Sequence, residues 1–173
     1  MESRIKVLGH PVHPMLVMFP VALFVAGVIF DLVDLFGGPP LFGQLAYYNI
    51  LAGLIGGVLA ALAGVFDLLA IPAGTRAKRI GVLHALINTG VILLFAGVWT
   101  VRGSAIGHSA GGGVLAIEVV ALAGVAAGAW FGGELVDRLG VGVDLDADLN
   151  ASSSLRPRGP VNSKLTQMQR ESR

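Results

Sequence analysis

Four long apolar runs dominate the chain and leave few folds open to it. They cover roughly residues 14–35, 45–71, 80–101 and 111–134. A helix rises 1.5 Å per residue, so about 20 apolar residues cross a hydrocarbon layer of roughly 30 Å. Each run is long enough. In lipid every backbone N–H and C=O needs an internal partner, which leaves helices as the way for such runs to cross. The breakers fall between them: Gly37, Gly38, Pro39 and Pro40, then Pro72 and Gly74, then Gly103 and Gly107. Short connections make consecutive helices antiparallel neighbours. The expected fold is an all-α membrane protein, an antiparallel bundle of four transmembrane helices with short loops.

Composition supports this. Only 13% of the 173 residues are charged and 54% are hydrophobic, against about 25% charged in soluble domains. The first run is longer than a signal-peptide core, lacks a clear small-x-small cleavage site, and is read as retained. The net charge of +1 gives no reason to expect nucleic acid as a partner. With no cysteine, thiolate metal sites, iron–sulfur clusters and c-type haem attachment are excluded.

The basic residues set an expected orientation. Arg4 and Lys6 precede the first helix, Arg76, Lys78 and Arg79 lie in the second loop, and Arg138 follows the fourth helix. The first loop has no charge and the third has only Arg102. The positive-inside rule then places both termini and the second loop in the cytoplasm of a multi-pass inner-membrane protein. The helical domain covers residues 1–140. A polar tail over 141–173 reads as disordered. Within it, Asp144, Asp146 and Asp148 alternate without the glycine and glutamate that close a calcium loop. Arg156 and Arg158 could touch anionic lipid.

Small residues at positions 53, 57, 60 and 64 recur at helical spacing, with Asp67 continuing the stripe, which suits close helix packing in lipid. Gly124 and Gly128 form a second such pair, usable within the bundle or in a homo-oligomer. Pro20 is expected to kink the first helix and free the Leu16 carbonyl. His13 is placed to cap that helix ahead of Pro14.

Ionisable groups near hydrocarbon are costly and face the bundle interior. On the expected cytoplasmic side lie His10, His13, Asp67, Arg76, Arg79, His84, Asn88 and Glu134. All four helices contribute, so the polar groups are expected to converge there. The opposite end holds a smaller outer group of Asp31, Glu118 and His108, with Arg102 just after the third helix. Glu118 and Glu134 are about 160° apart around a straight helix and should not share a site.

Three uses fit the cytoplasmic cluster. His84 with His10 or His13 could hold haem b through two axial imidazoles. His10, His13 and His84 with Asp67 or Glu134 could hold a non-haem metal, since nitrogen and oxygen donors suit iron, zinc or manganese. Alternatively the same groups, supported by Arg76, Arg79 and Asn88, fix the bundle or move protons, the latter route needing the outer group as well. On these residues a redox- or metal-associated membrane subunit, with the bilayer and a membrane redox partner around it, is the first expectation. A structural or proton/ion-linked component without cofactor is the alternative. A hydrolase lacks support: Ser104 and Ser109 flank His108 without a base–carboxylate arrangement.

The stretches GHPVHPMLVMFPVALF at 9–24, FDL at 30–32, FDLLAIPAGTRAKRIGVLHALIN at 66–88 and WFGGELVDRLGVGV at 130–143 resemble a bacterial family of small membrane proteins, domain of unknown function 2231. The resemblance covers residues 9–143. It implies a four-helix membrane domain and no established reaction. Some relatives resemble proteins fused to, or encoded near, Rieske-type ferredoxin domains, which tilts the expectation towards redox. The positions that carry the match include His10, His13, Asp31, Asp67, Arg76, Arg79, His84, Asn88 and Glu134. Asp137 and Leu139 depart from the pattern, where relatives often carry an aromatic residue and a histidine.

Overall fold

The computed structural model describes residues 1–155. A small hairpin pairs β1 (Lys6–Val7) with β2 (His10–Pro11). Leu8 and Gly9 turn it with φ of 50° and 84°, the left-handed pair that two-residue hairpins favour. Four helices follow: α1 (Val12–Leu35), α2 (Leu41–Ala70), α3 (Arg76–Arg102) and α4 (Gly112–Gly133). A 3-10 turn at Ile106–His108 precedes α4, and a π-helical turn at Glu134–Arg138 ends it. All four spans are long and apolar enough to cross a membrane. The four-helix membrane bundle read from the sequence is therefore the fold.

The first three helices start ahead of their apolar runs. The α3 helix starts at Arg76 rather than near residue 80, because Thr75 caps it: its Oγ1 accepts from the Lys78 amide at 3.1 Å. The α1 helix starts at Val12, so His13 lies inside its first turn and does not cap it. The helix continues through Pro20, which is buried. At the far end of α1, Gly37 takes φ 86° and lets the chain turn back into α2.

Outward faces are apolar throughout. Phe19, Ile29, Leu62, Leu69, Leu86, Leu93, Val120 and Trp130 are exposed, a surface suited to lipid rather than water. Inside, small residues let the helices approach. On α2, Gly53, Gly57, Ala60 and Ala63 are buried. The helices pair as two hairpins, α1 chiefly with α2 and α3 chiefly with α4. Gly124 and Gly128 face Val91 and Asn88 of α3, so that pair is used within the chain. The core between the hairpins is Phe24, Val28, Ile50, Val91, Phe95, Val98, Leu115 and Ala121. Phe24 and Phe95 stack at its centre, centroids 4.1 Å apart.

Residues 141–151 form turns and coil and return to the N-terminus. The Met1 ammonium donates to the Gly140 carbonyl at 2.7 Å, and the Gly142 amide to the Met1 carbonyl at 2.8 Å. Lys6 bridges Glu2 at 2.9 Å and Asp144 at 3.4 Å. Asp144 and Asp148 each accept a backbone amide two residues on, the habit of aspartates in turns. Arg156, Arg158 and the rest of the tail lie outside the described residues.

Glycine substitutions separate packing from propensity. A Cβ at Gly53 would sit 2.7 Å from the Phe24 ring, which is locked against Phe95. At Gly90 nothing lies within 4 Å. Gly53→Ala should destabilise by about 1–3 kcal/mol through overpacking, while Gly90→Ala should be neutral or stabilise by up to about 1 kcal/mol. Thermal unfolding in mild detergent measures both, and a Gly53→Ala protein as stable as the parent contradicts this packing.

Candidate functional site

The polar residues at the end holding the N-terminus separate into local pairs. His10 is exposed on β2, its Nε2 3.3 Å from Ser154 Oγ. Asp67 accepts from Ser3 Oγ at 2.8 and 3.0 Å and from the Arg4 amide at 2.6 Å; it fastens the N-terminal segment to α2. Glu134 pairs with Arg76 at 2.6 Å, and Arg79 is exposed. Lys78 donates to the Leu68 carbonyl at 2.7 Å.

His13 and His84 come together, ring centroids 6.4 Å apart and nearly perpendicular. Each is tied to its neighbouring helix through Nδ1, His13 to the Ala60 carbonyl at 2.7 Å and His84 to the Gly128 carbonyl at 3.0 Å. A carbonyl only accepts, so both Nδ1 atoms carry hydrogen. Asn88 donates to the His84 carbonyl at 2.8 Å. Asp67 and Glu134 do not join this pair. Among the described residues no three His, Asp or Glu side chains gather as a metal site. The expected four-ligand centre is therefore not assembled: one carboxylate holds the N-terminus, the other holds Arg76, and His10 sits on an exposed hairpin. At this end the side chains that meet come from α1 and α3, each bonded to a backbone carbonyl of α2 or α4.

The convergence lies at the opposite end. Arg102, the last residue of α3, is 1% exposed; Asp31 of α1 and Glu118 of α4 are 0% exposed. Among the described residues these are the charged side chains classed as buried. Arg102 forks onto Asp31, Nη1 to Oδ2 and Nη2 to Oδ1, both at 2.6 Å. Nη1 also donates to Glu118 Oε1 at 3.0 Å, Nη2 to the Gly43 carbonyl at 3.2 Å, and Nε to the His108 carbonyl at 2.8 Å. All five guanidinium N–H groups are thereby used. The other three helices and the third connection each supply a partner.

The surrounding shell is fitted to this. A Cβ at Gly43 would meet the Gly107 carbonyl at 2.9 Å and Asp34 Oδ2 at 3.1 Å, so the loop approaches only because position 43 is glycine. Gly107 and His108 both take positive φ, 64° and 56°. Such a conformation costs about 1 kcal/mol or more at a non-glycine residue. It is held by His108 Nδ1 donating to the Arg102 carbonyl at 3.0 Å and by the ring stacking on Tyr47 at 4.0 Å. Tyr47 in turn stacks on Trp99 at 5.3 Å.

One acceptor in the set is unused. Glu118 Oε2 is buried without a hydrogen-bond partner, as is Trp99 Nε1. Two carboxyl groups face one guanidinium, so the set holds one carboxyl more than it has cations.

The sequence marks Asp31, Glu118 and His108 as an outer group, and Arg102 reads as a loop residue because the apolar run ends at Val101. A usable signal was present. Two carboxylates inside apolar segments require a cation at their depth, and Arg102 is the basic residue in that half of the chain's connections.

No curated protein and no solved structure matches the chain significantly. Residues 9–145, from the turn before α1 to just beyond the π-helical turn, match the family described as predicted membrane protein (DUF2231). Four apolar helices, locked at one end by a buried Arg–carboxylate set, thus make up a chain that belongs to the DUF2231 family of membrane proteins.

Proposed function

We propose that this protein is a proton-linked membrane component that needs no cofactor, with Glu118 as the proton-bearing group. The observation that carries this is the buried, partnerless Oε2 of Glu118 within a set of two carboxyls and one guanidinium. With Asp31 and Glu118 both ionised, the set would hold a net negative charge inside the bundle, which is strongly unfavourable. One proton removes that charge. Asp31 is engaged through both oxygens, whereas Glu118 accepts through one. The proton therefore resides on Glu118 Oε2. Like charges at short range, with one proton between them, make a site that exchanges that proton when its surroundings change.

The groups around the site are Asp34 of α1, Tyr47 and the Gly43 carbonyl of α2, Arg102 of α3, and His108 of the third connection. Towards the other end the Phe24–Phe95 stack fills the core. That favours proton exchange at one face over a continuous path. In the orientation expected from the basic residues, the termini are cytoplasmic and the Arg102 end lies towards the outer face of a bacterial inner membrane.

Infrared spectroscopy of the full chain in detergent tests the proton directly. A protonated-carboxyl C=O band is expected near neutral pH and should vanish in Glu118→Gln. It should also vanish in Asp31→Asn, where one carboxylate and one guanidinium balance and Glu118 ionises. A band unchanged by either substitution refutes the assignment.

Arg102→Lys replaces a five-donor fork with a point charge. It should cost about 3 kcal/mol or more, close to the loss from breaking a buried ion pair, and detergent unfolding would show a retained melting temperature if this is wrong. Since the chain lacks cysteine, orientation is read from single cysteines. In intact cells, a membrane-impermeant maleimide should label Ser104→Cys and leave Ala73→Cys unlabelled, the reverse pattern inverting the topology.

A further inference from the structure

The same contacts recur in both hairpins. His13 donates from Nδ1 to the Ala60 carbonyl, and its ring lies over Gly64, where a Cβ would come within 2.9 Å. His84 donates from Nδ1 to the Gly128 carbonyl, and its ring lies over Gly132, where a Cβ would come within 3.3 Å. Ala60 and Gly128 are 68 residues apart, as are Gly64 and Gly132. One turn earlier, Gly56 backs onto Pro20 and Gly124 onto Val91. Those glycines are again 68 apart, and Pro20 and Val91 are 71 apart, the same as His13 and His84.

Contacts between the hairpins follow the same numbers. His13 meets His84, Phe24 stacks on Phe95, and Asp31 pairs with Arg102. The members of each pair are 71 residues apart. In a two-fold arrangement a residue meets its own equivalent at the axis. Three such meetings, at three depths, trace an axis from one end of the bundle to the other. The α1 and α3 helices point the same way, so this axis runs along the bundle, the parallel kind of membrane repeat.

Residue identities agree with the shifts. A shift of 71 superposes His13 on His84, Leu23 on Leu94 and Phe24 on Phe95. A shift of 68 superposes Gly43 on Gly111, Leu54 on Leu122, Gly56 on Gly124, Ala61 on Ala129 and Gly64 on Gly132.

We propose that the bundle is a tandem repeat of one helical hairpin, packed against its own copy about this axis, and that the charged site occupies the level where the two copies differ. Asp31 and Arg102 are equivalent positions with opposite charge. The equivalent of Glu118 is Ile50, which is 0% exposed. Ile50 packs against Gly27, one turn before Asp31, its Cγ1 3.1 Å from where a Cβ on that glycine would stand. As Glu118 reaches Arg102, a side chain at position 50 faces Asp31. The first hairpin therefore holds a fourth, unused position of the charged set, and the group it accepts is a cation.

The test is the full chain in mild detergent, comparing Ile50→Lys, Ile50→Glu and Val91→Lys by melting temperature and monodispersity. A lysine placed in a membrane core is ordinarily ruinous, and Val91→Lys should lower the melting temperature by about 10 °C or more, or yield no monodisperse protein. Ile50→Lys should stay within about 5 °C of the parent, because its ammonium meets Asp31. Ile50→Glu should fall with Val91→Lys, because it sets a third carboxyl beside Asp31. The proposal is overturned if Ile50→Lys collapses as Val91→Lys does, or if Ile50→Glu is tolerated equally well.

Discussion

A guanidinium buried among apolar helices determines how this bundle closes. An arginine in hydrocarbon is tolerable only when its charge is met and every N–H has an acceptor. Arg102 achieves this with two carboxyl groups and two backbone carbonyls drawn from α1, α2, α4 and the third connection. Each partner is thereby fixed in depth as well as in direction. Dispersion and small-residue packing in lipid are tolerant of sliding, whereas a forked ion pair is not. The positive φ at His108 and the glycine at position 43 are concessions to this one side chain, since both bring a carbonyl within its reach.

The other end is held differently. His13 and His84 bond to backbone carbonyls one helix away, at 2.7 and 3.0 Å, over glycines that leave room for the rings. These bonds tie α1 to α2 and α3 to α4. The two ends thus divide the work: the imidazoles fasten each hairpin internally, and Arg102 fastens the hairpins to each other. Glu118 is the member of this system with capacity left over, through its unpartnered Oε2.

Much of the helical part was legible because hydrocarbon reads length and apolarity and little else. The helix starts were less so. Hydropathy sees the membrane-crossing part, while Thr75 capping and the N-terminal turn carry α3 and α1 further out. The polar residues were legible as a list and illegible as a site. Asp67 and Glu134 look like ligands from their depth beside His84, yet each is drawn to a partner on the rim, Ser3 and Arg4 in one case and Arg76 in the other. The hairpin repeat was hidden as well, since few identities survive and the contacts that reveal it span 71 residues.

By itself the sequence determined that the chain forms four membrane-crossing helices, because no other arrangement satisfies the backbone of such apolar runs. It also determined that the carboxylates within them must be neutralised. Tertiary structure alone decided how. Whether Arg102 points to solvent or turns back into the bundle depends on acceptors 71 residues before it and 16 after it meeting at one depth. That meeting is set by how two hairpins pack, and packing in lipid is a matter of shape that no local run of residues encodes.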